Sequence, residues 1–149
     1  MTFAKNKKAR HEYEYIDSYE AGISLMGPEV KSIREGRVNL KGSYISIDNG
    51  NAILKQCHIN RPEHLDGFTK FEETRPRQLL LHKKEIQKLQ KYIEVDGLTL
   101  IADSVYSKAG NSYFKVSLKV AKGLKHYDKR AKMKSKSQDM EAKRAMKDY

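Results

Sequence analysis

The segment YFKVSLKVAKGLKHYDKR, residues 113–130, contains both the clearest strand pattern of the chain and the point where that pattern ends. Residues 113–121 alternate strictly between apolar and polar side chains, as expected for a β-strand with one buried face. The alternation stops at Gly123, and the twenty-six residues that follow are rich in Lys and contain no Ile, Val or Phe. The pattern therefore predicts a folded body that ends near Gly123 and a separate tail.

The net charge of +11 is concentrated at the two ends of the chain. Residues 1–11 contribute +4 and residues 124–149 contribute +5, so residues 12–123 carry only +2. Basic segments on a nearly neutral body are typical of proteins that bind a polyanion, either nucleic acid or an anionic membrane surface. We interpret the chain as a basic N-terminal arm (1–11), one domain (12–123) and a basic C-terminal tail (124–149).

Length and composition set the broad class of protein. A chain of 149 residues favours one domain with one modest hydrophobic core. It has no run of about 18 apolar residues, and its amino terminus lacks the apolar core of a signal peptide, so we expect a cytoplasmic protein without a membrane partner. The single cysteine, Cys57, excludes an intramolecular disulfide and is expected in the core or at an edge.

The pattern upstream of residue 60 predicts a strand, a short helix and a hairpin. We expect a strand over residues 12–26 with a bend near Ala21 and Gly22, and with Tyr13, Tyr15, Asp17 and Tyr19 on one side. A short helix should run from Pro28 to Gly36. The dipeptide Asn49-Gly50 predicts a hairpin turn.

Counting outward from that turn predicts the register of the hairpin. Ile47 should lie opposite Ala52, and Ile45 opposite Leu54, on one face. The other face should carry Tyr44, Ile53 and Cys57.

The pattern downstream of residue 60 predicts a long loop over 60–78, an amphipathic helix over 83–93 and a second hairpin formed by residues 98–106 and 113–121. Many short strands with few short helices indicate a mainly β fold, a small antiparallel β-barrel of the oligonucleotide-binding type. A split sheet covered on one side by helices is the alternative.

The sequence contains no recognisable catalytic or metal-binding motif. Cys57, His58 and His64 lack the number and spacing of ligands that metal sites need, so we expect no metal and no cofactor. His11 near Glu20 could serve a ribonuclease, although that reaction needs another acid or base and a pocket. We expect a protein that is not an enzyme.

Residues 6–13, NKKARHEY, combine cations with side chains that stack on bases, as in proteins that recognise single-stranded RNA. A solvated basic terminus is the alternative. The same chemistry continues in Lys115, Lys119, Lys122 and Lys125.

In the tail, Ala142, Ala145, Met146 and Tyr149 recur at helical spacing. We therefore expect a tail that is disordered alone and helical on a polyanion, or else an inert solubilising tail.

Several motifs together resemble the bacterial SsrA-binding protein family, also called small protein B. They occur in the same order along nearly the whole chain. They are NKKARHEY (6–13), EAGISL (20–25), EVKSIR (29–34), SY (43–44), RQLLL (77–81), VAKG (120–123) and DKR (128–130). The resemblance implies an oligonucleotide-binding barrel that binds the tRNA-like domain of transfer-messenger RNA.

The resemblance also implies partners and a task. Members of the family deliver transfer-messenger RNA (tmRNA), together with elongation factor Tu, to ribosomes stalled on messages without a stop codon. The tail is implied to enter the empty mRNA channel past the 16S rRNA decoding centre and to become helical there.

The resemblance further implies which residues contact each partner. The RNA-binding residues for tmRNA correspond to Asn6, Lys7, His11, Tyr13, Glu20, Tyr44, Leu80, Lys122 and Lys125. The residues of the tail that meet the ribosome correspond to Tyr127, Asp128, Lys129, Arg130, Ala145 and Met146. A structural ion pair is the alternative role of Glu20. Tyr127 replaces a His found in some members, and Ala145 stands where others carry a bulkier aliphatic residue.

Overall fold

The computed structural model describes residues 1–108 and 113–123, and its centre is a closed antiparallel β-barrel. The strands are β1 (Thr2–Lys5), β2 (Tyr13–Ile23), β3 (Val38–Asn39), β4 (Tyr44–Asp48), β5 (Asn51–Lys55), β6 (His58–Ile59), β7 (Arg77–Leu80), β8 (Thr99–Ser107) and β9 (Phe114–Gly123). The helices are α1 (Lys7–Glu12), α2 (Gly27–Arg34) and α3 (Lys83–Glu94).

The barrel closes because strand β9 pairs with β2 on one side and with β8 on the other. The ring runs β8, β4, β5, β7, β2, β9 and back to β8, and every pairing is antiparallel. Strand β1 adds to β8, and β3 pairs with β6 in a separate small sheet. The predicted mainly β class is confirmed, and the closed ring is consistent with the barrel rather than with a split sheet.

The first hairpin has the predicted register. Ile47 pairs with Ala52 and Ile45 pairs with Leu54, around a turn in which Asn49 and Gly50 have positive φ. The predicted position of Cys57 on the opposite face is wrong. Gln56 adopts a φ of 59° and breaks the alternation, so Cys57 joins Leu54 in the core. Burial raises the pKa of the Cys57 thiol to about 11.

Strand β2 contains a bulge at Ile16, not at the predicted position near Ala21 and Gly22. Tyr15 pairs with Ala121 and Asp17 pairs with Val120, so Ile16 is the extra residue. Because neighbouring positions of β9 point to opposite faces, the bulge moves the side chains of β2 from one face to the other. The prediction that Tyr13, Tyr15, Asp17 and Tyr19 share one side is therefore wrong. Strand β2 also ends at Ile23, before the predicted residue 26.

The N-terminal residues belong to the folded body. Strand β1 pairs with β8, and the Met1 ammonium donates to the carbonyl of Ser107 at 2.7 Å. The Phe3 ring meets the Phe114 ring edge-on, with the centroids 5.2 Å apart. Residues 2–5 form β1 and residues 7–12 form α1, so this segment is folded against the barrel and is not a frayed terminus. The sequence did not reveal β1 because a short amphipathic strand among lysines resembles a polar arm.

The hydrophobic core lies inside the barrel and under two helices. The amphipathic helix α3 confirms the predicted helix and buries Leu89 fully, and α2 buries Ile33. Residues 60–76 form no helix or strand, as expected for the long loop, whose last predicted residues instead belong to β7. Among the helices in residues 1–108 and 113–123, none is both long and apolar enough to cross a bilayer.

A buried ion cluster connects α2 to strand β7. The Glu29 carboxylate accepts from Arg77 Nε and from Arg75 at 2.5 Å each, and from the backbone N–H of Met26 at 2.8 Å. Arg77 is fully buried and also donates to the carbonyl of Cys57 at 2.7 Å. Burial raises the pKa of Glu29, but the bonds from Arg75, Met26 and Arg77 outweigh burial and lower it overall.

We predict that Glu29→Gln lowers the free energy of unfolding by about 3–5 kcal/mol, because it leaves the Arg77 cation buried without its partner. Urea denaturation at pH 7 measures the change. The matched control is Glu63→Gln, which removes an exposed pair with Arg37 at 3.5 Å and should cost less than about 1 kcal/mol. Equal losses in the two variants would contradict the account.

The same ion cluster predicts a dependence on pH. Since the folded-state pKa of Glu29 lies below its ordinary value, its contribution is present above about pH 4.3 and is lost as the pH falls through the folded-state pKa. The wild-type chain should therefore lose more stability on acidification below about pH 4.3 than Glu29→Gln loses.

Candidate nucleic-acid interface

Helix α1 is attached to the outer face of the barrel by the side chain of Asn6. The Asn6 amide donates to the carbonyls of Leu40 and Ala102, both at 3.1 Å, and its oxygen accepts from the backbone N–H of Ala9 at 3.1 Å. Asn6 is 3% exposed. It therefore caps the helix and connects it to two other segments of the chain.

A carboxylate on strand β8 holds the other end of α1. Arg10 donates through two nitrogens to the two oxygens of Asp103, each at 2.9 Å, and the Tyr15 hydroxyl donates to Asp103 Oδ1 at 3.0 Å. Burial alone would raise the pKa of Asp103, but the bonds from Arg10 and Tyr15 lower it overall. The pair thereby fixes the Arg10 guanidinium on Asp103, while the side chain stays 44% exposed.

Contacts between small apolar side chains complete the attachment of α1 to the barrel. Ala9, Ile101 and Ala121 form a second buried cluster outside the barrel, with Tyr13 and Tyr15 packed against it. The bulge at Ile16 places these two tyrosines on the outer face. Lys7 and His11 are exposed on the same helix.

A groove of about 210 Å³ runs between α1 and the turn before β4. We call it the helix groove. Its lining includes Asn6, Lys8, Tyr13, Ser43 and Tyr44. It thus brings together three of the predicted RNA-binding residues from three separate segments: Asn6, Tyr13 and Tyr44. Tyr44 is 40% exposed, so part of its ring faces the open groove.

A second groove, of about 510 Å³, lies where β2 meets β7. We call it the leucine groove because Leu80, which is 57% exposed, forms part of its wall. Glu20 and Lys115 line the same groove. A Cβ on Gly22 would lie only 3.2 Å from the Leu80 Cβ, so glycine at this position leaves room for Leu80. The groove brings together Glu20 and Leu80, two of the predicted RNA-binding residues.

Glu20 has charged and polar partners within the protein. It accepts a hydrogen bond from the Tyr106 hydroxyl and pairs with Lys108 Nζ at 3.0 Å. The bond from Tyr106, followed by the bond from Lys108, lowers the pKa of the Glu20 carboxyl. The structure thus shows the ion pair that was the alternative role of Glu20, at a position that also faces the leucine groove.

The two grooves lie toward opposite ends of β2, and β9 runs beside it. At about 3.3 Å per residue, Tyr13 and Glu20 are separated by roughly 20 Å. Between them, Lys119 Nζ donates to Ser18 Oγ at 2.9 Å. Lys122 is exposed and lies opposite Glu14, one position along β2 from Tyr13.

Some predicted site residues fall elsewhere. Lys7, His11 and Lys122 are exposed without lining either groove. Lys125 and all of the predicted ribosome-binding residues lie in 124–149, outside the described residues. They are Tyr127, Asp128, Lys129, Arg130, Ala145 and Met146.

Two residues shape the site in a way that was not predicted from the sequence: Asp103 and Gly22. Asp103 is an acidic residue within an otherwise apolar strand pattern, LIADSV, and this was the available signal. Gly22 was noticed but was interpreted as a bulge. In residues 1–108 and 113–123, no group of three or more His, Cys, Asp or Glu side chains is placed to hold a metal ion.

Known proteins resemble the chain over nearly its whole length. The family model described as SmpB protein matches residues 3–148. The SsrA-binding protein of Clostridium tetani (strain Massachusetts / E88) is 48% identical over 147 residues, which are 99% of this chain and 92% of that protein. The SsrA-binding protein of Sulfurovum sp. (strain NBC37-1) is 46% identical over 144 residues, which are 97% of this chain and 94% of that protein.

A solved structure resembles the fold as well. It is described by the words "tmRNA-SmpB: a journey to the center of the bacterial ribosome". It matches with a TM-score of 0.67 at 37% identity and covers 85% of this chain and 91% of that chain. The chain and this solved structure therefore share both their fold and a substantial part of their sequence.

We predict that Asn6→Ala lowers the free energy of unfolding by about 2–4 kcal/mol, because it removes a helix cap and the two buried hydrogen bonds that connect α1 to Leu40 and Ala102. Urea denaturation measures this change. The control, Lys7→Ala, alters an exposed neighbour and should stay within about 0.5 kcal/mol of the wild type. If Asn6→Ala were as stable as Lys7→Ala, the claim that Asn6 attaches α1 to the barrel would be incorrect.

Proposed function

The chain belongs to the SmpB family, the SsrA-binding proteins, and from this premise we propose that it is an RNA-binding adaptor of trans-translation. It binds the tRNA-like domain of tmRNA and delivers it to stalled ribosomes. The names of its relatives and the description of the matching tmRNA–SmpB structure support this proposal. The protein works by binding in the cytoplasm, without catalysis and without a cofactor.

One observation carries the proposal. Residues that are far apart in sequence but were expected to bind RNA meet in two grooves connected by strand β2. Tyr13 and Tyr44 supply aromatic surface to the helix groove, and Leu80 supplies an apolar surface to the leucine groove. Such surfaces stack on unpaired bases, which is how proteins commonly recognise looped RNA.

Cations beside the grooves supply the electrostatic part of binding. Lys8 lines the helix groove, Lys115 lines the leucine groove, and Lys119 lies between them on β9. Lys7 and His11 extend the basic surface along α1. Lysines at these positions neutralise phosphates, while the grooves hold bases.

We assign Glu20 a positioning role in this surface. Its carboxylate would repel a phosphate, yet it lines the leucine groove and binds Lys108 and Tyr106. It also retains acceptor capacity for a base amino group. Its low pKa keeps it charged at neutral pH.

The tail, residues 124–149, acts on the ribosome. In this proposal Tyr127, Asp128, Lys129 and Arg130 contact the decoding centre, and Ala145 and Met146 anchor the tail farther along the mRNA channel. Tyr127 stacks on ribosomal RNA bases without an ionisable imidazole. Elongation factor Tu takes part in the delivery complex.

The function is tested by identifying the RNA that the protein binds. We predict that affinity purification from cells followed by RNA sequencing recovers one dominant RNA with both a tRNA-like and a coding part. A variant with Tyr13→Ala and Leu80→Ala, shown by circular dichroism to remain folded, should lose most of this RNA. Recovery of bulk ribosomal RNA alone, from both proteins, would contradict the proposal.

The division of tasks is tested by truncation. We predict that a chain ending at Gly123 binds the tRNA-like domain within about threefold of wild-type affinity, because every groove-lining residue in the described part of the chain precedes Gly123. The same chain should not support peptide tagging on reconstituted stalled ribosomes. A collapse of RNA affinity, with an unchanged thermal melt, would show that the tail is part of the RNA site.

A further inference from the structure

The leucine groove crosses neighbouring strands whose residues meet in register. Strand β2 lies between β9 and β7. Gly22 of β2 is the partner of Lys115 on β9 and of Leu80 on β7, and all three residues line the groove. Residues that are directly opposite in neighbouring strands project from the same face of a sheet. A cation, a position without a side chain and an exposed apolar side chain therefore follow one another across the outer face.

A pair of side-chain amides ends this row on strand β5. Ala52 pairs with Leu79, so the same register sets Asn51 beside Leu80. Gln78 lies two residues before Leu80 and therefore shares its face, and its Nε2 donates to Asn51 Oδ1 at 3.4 Å. Both amides line the groove. Their mutual bond uses one N–H of Gln78 and one lone pair of Asn51, so the pair keeps further donors and acceptors.

The row has the dimensions of one nucleotide. Neighbouring strands lie about 4.8 Å apart, so the backbones of Lys115 and Asn51 are separated by roughly 14 Å. Gly22 keeps the floor between Lys115 and Leu80 free of a side chain, and a Cβ there would lie only 3.2 Å from the Leu80 Cβ. The open stretch between the cation and the amide pair thus suits a phosphate, a ribose and a base, in that order.

The order of chemical groups along the row distinguishes a nucleotide from other ligands. An anion alone would need the cation but not the apolar side chain, and an apolar peptide side chain would need neither the cation nor the amides. A nucleotide uses all of them, because its phosphate is charged, the face of its base is apolar and the edge of its base forms hydrogen bonds. Glu20, which also lines the groove, forms its ion pair with Lys108 rather than with Lys115.

We propose that the leucine groove holds one unpaired nucleotide of the tRNA-like domain of tmRNA, lying across strands β9, β2, β7 and β5. Lys115 binds its phosphate, Leu80 packs against the face of its base, and the amides of Gln78 and Asn51 hydrogen-bond to the edge of the base. The inference rests on the proposed function, because the partner is tmRNA. It adds Gln78 and Asn51 as the residues that determine which base the groove accepts.

The first test measures how full-length variants bind the purified tRNA-like domain at several salt concentrations. Gln78→Ala should bind roughly five- to hundredfold more weakly with an unchanged salt dependence, because a contact to a base releases no counterion. Lys115→Ala should reduce the slope of log affinity against log salt by about 1, as expected for one lost phosphate contact.

The matched control is Gln87→Ala, since Gln87 is an exposed glutamine on α3 that lines neither groove. It should bind within about twofold of the wild type. Thermal melts of all variants show whether they remain folded. If Gln78→Ala, folded, bound the RNA as tightly as Gln87→Ala, the amide pair would not contact RNA and the proposal would be overturned.

The second test asks whether the base and the phosphate belong to the same nucleotide. Each unpaired nucleotide of the tRNA-like domain is replaced in turn by an abasic one, and in a separate series each phosphate is replaced by a neutral methylphosphonate. At the bound nucleotide, loss of the base should weaken wild-type binding but cause little further loss in Gln78→Ala or Asn51→Ala. A neutral linkage on either side of that nucleotide should show the same coupling with Lys115→Ala.

The choice of base is tested at the nucleotide found in this way. Replacing its base by each of the other three should weaken binding to the wild type but have little effect on Gln78→Ala, because that variant no longer reads the edge. Equal losses in both proteins would contradict the role of Gln78.

The two proposals fail in different ways. Wild-type affinity for the tRNA-like domain reports on the proposed function, whereas the couplings report on this proposal alone. Coupling of Gln78 to no nucleotide would overturn it, and so would coupling of Gln78 and Lys115 to two nucleotides that are not neighbours.

Discussion

A single extra residue in strand β2, Ile16, controls how the two faces of the barrel are used. On one side of this bulge, Tyr13 and Tyr15 face outward and pack against the small apolar cluster that attaches α1 to the barrel. On the other side, Tyr19 packs against the core, and Asp17 accepts from the Tyr92 hydroxyl of α3 at 2.9 Å. One strand therefore supports the interior, closes the barrel against α3 and displays the outer surface that carries both grooves.

On the outer surface, some cations form ion pairs within the protein, and others are placed to bind a partner. Asp103 engages Arg10, and Glu20 engages Lys108, so these two cations are oriented by acids of the barrel. The lysines on α1 and on the outer side of β9 lie beside them on the same surface. This arrangement makes a basic surface with fixed geometry, in which stacking groups and cations are positioned before RNA binds.

The sequence predicted those features that depend on local pattern. The alternation of β9, the turn at Asn49-Gly50 and the helical period of α3 were sufficient for the barrel and its hairpins. The bulge at Ile16 escaped because isoleucine suits a strand, whereas Gly22 resembled a bulge although its role is to admit Leu80. Asn6 was expected to bind RNA, but its buried amide connects segments that only the folded chain brings together. The resemblance to a family supplied the partner, which charge and pattern alone left open.

The central claim is that the outer face of β2 and β9, with its two grooves, is the surface that RNA covers. Photo-crosslinking tests it most directly, with benzoylphenylalanine introduced singly at Tyr44, at Gln78 beside Leu80, and at Val95 as a control. All three side chains are exposed, and Val95 follows α3 outside both grooves. The account predicts cross-links to the tRNA-like domain of tmRNA from the first two positions and none from Val95. Cross-links from Val95 alone would contradict it.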